Sequence, residues 1–174
     1  MKSYIYCLIL ILSSIVNAQK NYPIPPKSNN QLFYIQHNEN KNTYVYDAAF
    51  LNKGVLDNEN PVDIYRILYA ENGEKKPLTA IQKKLAYGLI IKNIKKNEFQ
   101  LNLVSYPNQK LILKLDSHQN PFVETVINNK TIKLSRVFLK QKKGTSGLTV
   151  KLEYILFYGE DNKGNMIEEK IIPS

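Results

Sequence analysis

Residues 98–140 read EFQLNLVSYPNQKLILKLDSHQNPFVETVINNKTIKLSRVFLK, and this stretch decides the fold class. Apolar and polar side chains alternate in it, as at Phe99, Leu101 and Leu103, which is the period of a strand with one buried face. Polar segments that contain proline, asparagine or aspartate interrupt the alternation and are typical of tight turns. The stretch therefore predicts consecutive strands joined by short hairpin connections.

The same pattern extends outward on both sides, at residues 32–37, 43–50, 62–70, 148–158 and 166–172. Helical segments at the spacing of strand–helix–strand units are missing, which favours antiparallel hairpins over a parallel sheet. We therefore expect a mainly β protein, an antiparallel β-sandwich or partly closed β-barrel of about nine or ten strands, since stacking or closure protects sheet edges. The pattern does not choose between the two.

One short α-helix is predicted at about residues 77–87, within the segment 61–89. Pro77 suits a first helical position, and Gly88 can end the helix in a left-handed conformation. Leu78, Ile81 and Leu85 repeat at helical spacing. Because a helix of about three turns is unstable without a surface beneath it, this apolar stripe is predicted to lie on the sheet. On that view an aspartate at position 81 would unfold the domain.

The N-terminus carries the features of a signal peptide at residues 1–18. Lys2 is followed by an apolar segment at residues 8–16, and Val16-Asn17-Ala18 suits a cleavage site. The apolar segment is shorter than the roughly 20 residues that span a bilayer, and a signal anchor is the alternative. We expect an exported protein, periplasmic or secreted. Residues 19–31, with three prolines, are predicted to form an arm or linker, disordered or strapped to the surface, before a single β-rich domain at residues 32–174.

The charge and cysteine content narrow the possible functions. The formal net charge is +9, but the lysines come in short pairs along the whole chain and form no basic block. This favours a lysine-rich surface over a face for an acidic partner, and no nucleic-acid partner is expected. Cys7 is the only cysteine and lies in the predicted leader, so the mature chain has no disulfide or thiolate chemistry.

Several short motifs together resemble one known family. They are Phe33-Tyr34-Ile35-Gln36, Tyr44-Val45-Tyr46, Ile81-Gln82, Leu85-Ala86-Tyr87-Gly88 and Arg136-Val137-Phe138. In this order they resemble the exported bacterial proteins grouped as domain of unknown function 4833, over residues 32–173. The resemblance implies an envelope or secreted location and brings no activity with it.

No metal or cofactor site is expected. His37 and His118 belong to no ligand motif, and a surface position is predicted for each. Asp161-Asn162-Lys163-Gly164 lacks the acids of a calcium loop and predicts a hairpin turn. Nucleophile-elbow and phosphate-loop signatures are missing from the sequence.

The two arginines are the best pointers to a site. Arg66 and Arg136 are the only arginines among many lysines, and a guanidinium makes planar bidentate contacts that an ammonium cannot. In one interpretation each pairs with a strand carboxylate, Asp47, Asp63, Glu124 or Glu153. In the other they form an anion or carboxylate clamp on the concave side of the sheet. The candidate ligand-binding residues are Gln36, Arg66, Gln82, Tyr87 and Arg136.

These features favour a non-enzymatic binding or interaction module of the cell envelope, expected to be monomeric. Its partner would be a small molecule, a glycan or a protein. The alternative is a hydrolase of envelope glycans or esters whose residues come from separate strands, which would need two carboxylates in one cleft. A purely interacting protein would instead expose an apolar or tyrosine-rich patch.

Overall fold

The structure is a computed structural model that describes residues 22–173, so the predicted leader at residues 1–18 lies outside the described residues. Within this range the chain forms thirteen strands, one α-helix and two 3-10 turns. The strands are β1 Gln31–His37, β2 Asn40–Ala48, β3 Phe50–Asn52, β4 Val55–Leu56, β5 Val62–Leu68, β6 Glu74–Pro77, β7 Leu89–Lys95, β8 Glu98–Leu103, β9 Tyr106–Leu115, β10 Pro121–Ile127, β11 Lys130–Gln141, β12 Leu152–Glu160 and β13 Met166–Ile171. The helix is α1 Ala80–Leu85, and the 3-10 turns are Tyr69–Glu71 and Gly147–Thr149.

Nine of the described strands form one strongly curled half-barrel, in the order β6-β5-β2-β1-β11-β10-β9-β8-β7. Strand β12 adds to β11 and strand β13 to β12, while β3 and β4 form a separate two-stranded ribbon. The prediction of a mainly β, partly closed structure with one short helix is confirmed. Because the sheet curls, the strands on one side of β11 in this order, β6-β5-β2-β1, face those on the other side, β10-β9-β8-β7. We call these two groups the arms of the sheet, and the apolar faces of their strands share one core.

The sheet forks at β11, and this fork shapes the whole molecule. Lys133 lies between Glu124 of β10 and Glu160 of β12, whereas Arg136 lies between Tyr34 of β1 and Tyr158 of β12. Strands β10 and β1 therefore share one edge of β11, and β12 occupies the other. A register shift between Leu134 and Arg136 accompanies the fork, as expected where a bulge bends a strand.

One strand pair corrects the sequence prediction. All pairs were expected to be antiparallel, but β1 runs parallel to β11. Hairpins fix the direction of strands that follow each other, and β1 and β11 are separated by most of the domain. Pattern alone therefore could not give the direction of this pair. The other described strand pairs are antiparallel, as predicted.

The core fills the space between the two arms. Both arms contribute alternate residues of their strands, and the stacked rings of Phe33 and Tyr46, with centroids 4.4 Å apart, lie in it. The fully or largely buried members of the cluster are Leu32, Phe33, Ile35, Tyr44, Tyr46, Ala48, Leu56, Val62, Phe99, Leu101, Leu111, Leu113, Val123, Ile127, Ile132, Leu134, Val137, Ile155 and Phe157. We call the side of the sheet that carries them the inner face and the opposite side the outer face.

The helix differs from its prediction in length, start and packing. Pro77 ends β6, and Thr79 caps α1 through a capping box with Gln82, so that the helix begins at Ala80. Ile81 is 68% exposed and Leu85 is 49% exposed. The predicted apolar stripe on the sheet is therefore wrong for these two residues, although Leu78 packs against the core. This short helix is therefore held by its caps and by the strands on either side of it, and not by burial of one of its faces.

The described part of the N-terminal arm lies across the outer face. The Gln36 side-chain amide donates to the Pro23 carbonyl at 2.8 Å, and the Tyr22 ring meets the Phe138 ring edge-on at 5.2 Å. The Ser28 hydroxyl donates to Asp47 at 3.0 Å. Of the two states considered for the arm, the strapped one is observed for residues 22–30, which we call the strap. None of the helices between residues 22 and 173 is long and apolar enough to cross a bilayer.

Candidate functional site

A group of polar and aromatic side chains gathers on the inner face, beside α1. We call it the Tyr87 cluster, and its members are His37, Tyr44, Arg66, Gln82 and Tyr87. The rings of Tyr44 and Tyr87 stack with centroids 3.5 Å apart and an interplanar angle of 12°. The His37 ring lies 6.1 Å from that of Tyr44, and the Gln82 side-chain amide donates to the Tyr44 hydroxyl at 3.4 Å. Tyr44 is therefore the centre of the cluster.

The strands position one half of the cluster. Tyr44 of β2 and Arg66 of β5 are register partners on neighbouring antiparallel strands, so their side chains leave the same face about 5 Å apart. Ile35 pairs with Tyr44 on the other side, which places the β1 residue two positions later, His37, on the inner face as well.

The segment after α1 positions the other half. The backbone carbonyl of Tyr87 accepts a hydrogen bond from the Tyr46 hydroxyl at 2.7 Å, and the carbonyl of Ala86 accepts one from Ser105 at 2.7 Å. Gly88 then passes the helix so closely that a Cβ atom there would lie 1.8 Å from the Lys83 carbonyl oxygen. Only glycine fits at position 88, and this close approach brings the Tyr87 ring onto Tyr44.

Burial sets the protonation of the cluster. Removal from water raises the pKa of the Tyr44 hydroxyl, and the positive charge of Arg66 opposes part of that increase. Burial, reinforced by Tyr44, also raises the pKa of Tyr87 far above its usual value. For His37, burial lowers the pKa below the ordinary 6.5. The cluster is therefore a neutral aromatic surface beside one permanent positive charge at pH 7.

Two buried nitrogens of the cluster have no hydrogen-bond partner within residues 22–173. They are Nε of Arg66 and Nδ1 of His37. A buried donor without a partner costs about 1–3 kcal/mol, so most such atoms in proteins are paired. Gln82, in contrast, uses its Oε1 to accept from the Thr79 backbone N–H in the capping box. The free hydrogen-bonding capacity of the cluster thus lies on Arg66 and His37.

A small apolar cavity of about 60 Å³ lies between the two arms and is lined in part by Tyr87. Leu111, Val137 and Phe157 line it further, and Ser105 and Gln109 bring polar atoms. Pockets that enclose a whole drug-sized ligand occupy about 300–1,000 Å³. This cavity can therefore accept only a small apolar group of a ligand whose remainder lies outside it.

The five predicted site residues do not form one site. Arg66, Gln82 and Tyr87 come together through Tyr44 on the inner face. Gln36 and Arg136 lie on the outer face, because Tyr34 and Gln36 alternate with the inward Phe33 and Ile35, and Arg136 is the register partner of Tyr34. Gln36 is 1% exposed and gives its amide protons to Pro23 and Thr43. It fastens the strap and has no access to a ligand.

The alternative of arginines paired with strand carboxylates is wrong. Neither arginine forms an ion pair among the described residues, where the five ion pairs are all made by lysines. Asp47 accepts from Ser28 and Tyr65 instead, and Glu124 binds Lys114.

The expectation of a surface position is wrong for His37, which is 4% exposed, and right for His118. Tyr44 was not among the predicted site residues, because a tyrosine in a strand more often packs half-buried than lines a groove. No group of three or more His, Cys, Asp or Glu side chains suited to a metal ion occurs within residues 22–173.

Comparison with known proteins gives one match. The family model described as Domain of unknown function (DUF4833) matches residues 33–170. No match was found to a curated protein or to a solved structure.

Proposed function

The chain belongs to the DUF4833 family, and from that premise and the Tyr87 cluster we propose that it is a non-enzymatic binding module of the cell envelope. The Tyr87 cluster is the ligand site. The location in the envelope, periplasmic or secreted, is supported by the signal-peptide features at residues 1–18.

The unpaired Nε of Arg66 beside the stacked tyrosines is the observation that carries the proposal. Its buried N–H is available to an acceptor oxygen of a ligand, because none of residues 22–173 pairs with it. Tyr87 is half-buried, so a ligand that reaches Arg66 also meets the edge of an aromatic ring. The arrangement combines a donor for orientation with an apolar surface for contact area, which is common in ligand sites.

A glycan fits this site best among the ligand classes considered. Sugar rings present apolar C–H groups that pack on tyrosine and carry acceptor oxygens for the unpaired Nε–H of Arg66. The small adjoining cavity suits a short substituent such as a methyl group. The cluster has no carboxylate, which supports binding over hydrolysis, since glycoside hydrolysis uses a pair of acids.

The experiment is titration calorimetry with soluble peptidoglycan fragments as the probe. We expect Tyr87→Leu and Arg66→Lys to weaken binding about tenfold or more. Tyr154→Leu is the matched control, because Tyr154 is half-buried on the outer face, under the Lys170 ammonium at 4.2 Å. Circular dichroism confirms that each variant is folded.

Equal weakening by the Tyr87 and Tyr154 changes would overturn the site assignment. Absence of binding by the unmodified protein would overturn the glycan class. Release of shortened fragments during the titration would replace the binding module by a hydrolase.

A further inference from the structure

Arg136 lies on the outer face, whereas the Tyr87 cluster lies on the inner face. Several aromatic side chains surround Arg136. Its guanidinium carbon lies 5.1 Å from the ring centroid of Tyr158 and 5.6 Å from that of Phe138. Both are cation–π contacts, which hold the orientation of a guanidinium but leave its N–H groups unpaired. Tyr34 is its register partner on β1, and Tyr22 of the strap also lies within the range of its charge.

The two unpaired nitrogens of Arg136 are Nε and Nη2. They are solvent-inaccessible and have no hydrogen-bond partner among residues 22–173. Nε–H and one N–H of a terminal nitrogen form the parallel pair of donors with which arginine binds both oxygens of a carboxylate or phosphate. The two unpaired atoms of this guanidinium are therefore the donor pair that a bidentate contact with an oxyanion uses.

The chain itself does not supply that anion in the described residues. The nearest acid along the register is Glu168, which pairs with Tyr158 and is exposed, and Glu39 lies near Tyr22. Neither forms an ion pair with Arg136 within residues 22–173. Nε and Nη2 are buried donors without partners, so an oxyanion that accepts a hydrogen bond from each would satisfy both.

An anion could reach Arg136 if the strap moved away from it. Tyr22 is the one aromatic neighbour of Arg136 that belongs to the strap and not to a strand of the sheet. Between residues 22 and 25 the strap is held by the Gln36–Pro23 hydrogen bond and by a long one of 3.4 Å from Tyr69 to the Ile24 carbonyl. Moving Tyr22 off Phe138 breaks few contacts compared with separating strands.

We propose that Arg136 is a second ligand site, independent of the Tyr87 cluster, which binds a carboxylate or phosphate group through Nε and Nη2 when Tyr22 moves aside. The shared chemistry is an oxyanion with two parallel oxygens. Acetate represents a carboxylate source, such as a peptide C-terminus, and inorganic phosphate represents a phosphate source.

Because the chain contains only two arginines, nuclear magnetic resonance tests this directly. A ¹H–¹⁵N spectrum of the full chain contains two arginine Nε–H signals, which Arg66→Lys and Arg136→Lys assign by removing one each. Sodium acetate and, separately, sodium phosphate are titrated against sodium chloride at matched ionic strength. We expect a saturable shift of the Arg136 signal with at least one of the two anions, while the Arg66 signal follows the chloride reference.

Variants of the strap sharpen the test. Tyr22→Ala should tighten the apparent affinity for the anion severalfold, because it removes the group that must move. Tyr69→Phe is the comparison variant: it removes the 3.4 Å hydrogen bond to Ile24 but leaves the Tyr22 ring in place, so it should change the affinity less than Tyr22→Ala does. Whichever of acetate and phosphate saturates the signal at lower concentration identifies the ligand class.

Three results would overturn the proposal. One is an Arg136 signal that drifts linearly and equally with all three salts. Another is equal sensitivity of both arginine signals to the anions. The third is a shift of the Arg136 signal in Glu39→Gln or Glu168→Gln without added anion, which would show an internal counter-ion. None of these results bears on the proposed glycan site. That site is tested separately, by the effect of the Arg66 and Tyr87 variants on the binding of peptidoglycan fragments.

Discussion

Tyr44 and Tyr87 stack face to face, with ring centroids 3.5 Å apart, although one lies in an early strand and the other follows the helix. This contact joins β2 to the segment that connects α1 with β7. It places Arg66 and Gln82 beside the same ring pair and so creates the inner-face site.

Replacing Tyr87 tests how much this stack stabilises the fold. Tyr87→Leu should lower the free energy of unfolding by about 1–3 kcal/mol, because the ring contact and part of the buried area are lost. Tyr87→Phe keeps the ring and should lower it by less than about 1 kcal/mol. Urea unfolding followed by circular dichroism gives both values. Equal stability of the Tyr87→Leu and Tyr87→Phe variants would mean that the stacked ring itself does not stabilise the fold.

Gly159 tests the close approach of β12 to β11 at the fork. A Cβ atom at this position would lie 2.1 Å from the Lys133 carbonyl oxygen and 2.6 Å from Cγ2 of Ile132. Gly159→Ala should therefore force β12 away and cost about 3 kcal/mol or more. Thermal unfolding measures the loss, and Glu160→Ala, exposed on the same strand, is the control. A melting temperature like that of the unmodified protein would mean that the fork is looser than described.

Ile81 is expected to tolerate a charge. Because its side chain is 68% exposed, Ile81→Asp should change the free energy of unfolding by no more than about 0.5 kcal/mol. Leu113→Ala is the matched core variant, since Leu113 is fully buried, and should cost about 2–5 kcal/mol. Urea titration compares the two. If Ile81→Asp unfolds the protein, the helix packs on the sheet through Ile81, as the sequence predicted.

His37 should make the protein sensitive to mild acid. Burial lowers the pKa of His37 in the folded state below 6.5, so the unfolded chain binds its proton first as the pH falls. Folding stability should therefore decrease as the pH falls below about 6.5, until the folded state also binds the proton. Melting temperatures at pH 7.5 and pH 5 should differ less for His37→Gln than for the unmodified protein. His118→Gln, exposed in a turn, should leave the difference unchanged.

The class of the fold was readable from local pattern. Phe99, Leu101 and Leu103 alternate with polar residues, which is the pattern of a strand with one face in water. The polarity of each side chain is enough to show this pattern. Turn-forming residues gave the hairpins of β8 to β11 for the same reason. The parallel pairing of β1 with β11 could not be read in this way, because no local connection relates the two strands.

The fate of the helix also depended on tertiary structure. Ile81 and Leu85 have the spacing of a buried stripe, yet both are exposed in the structure, and Thr79 with Gln82 caps the helix. A periodic pattern shows that a face can be buried. It does not show that another element reaches it.

The candidate sites divide in the same way. The sequence by itself marked Arg66 and Arg136 as unusual, because two guanidinium groups among many lysines are a matter of composition. It could not tell that they lie on opposite faces, since this follows from the inward direction of Phe33, Ile35 and Tyr44 in the folded sheet. Only the curled sheet brings Tyr87 onto Tyr44 and leaves each arginine with buried, unpaired nitrogens, because those contacts join residues far apart in the chain.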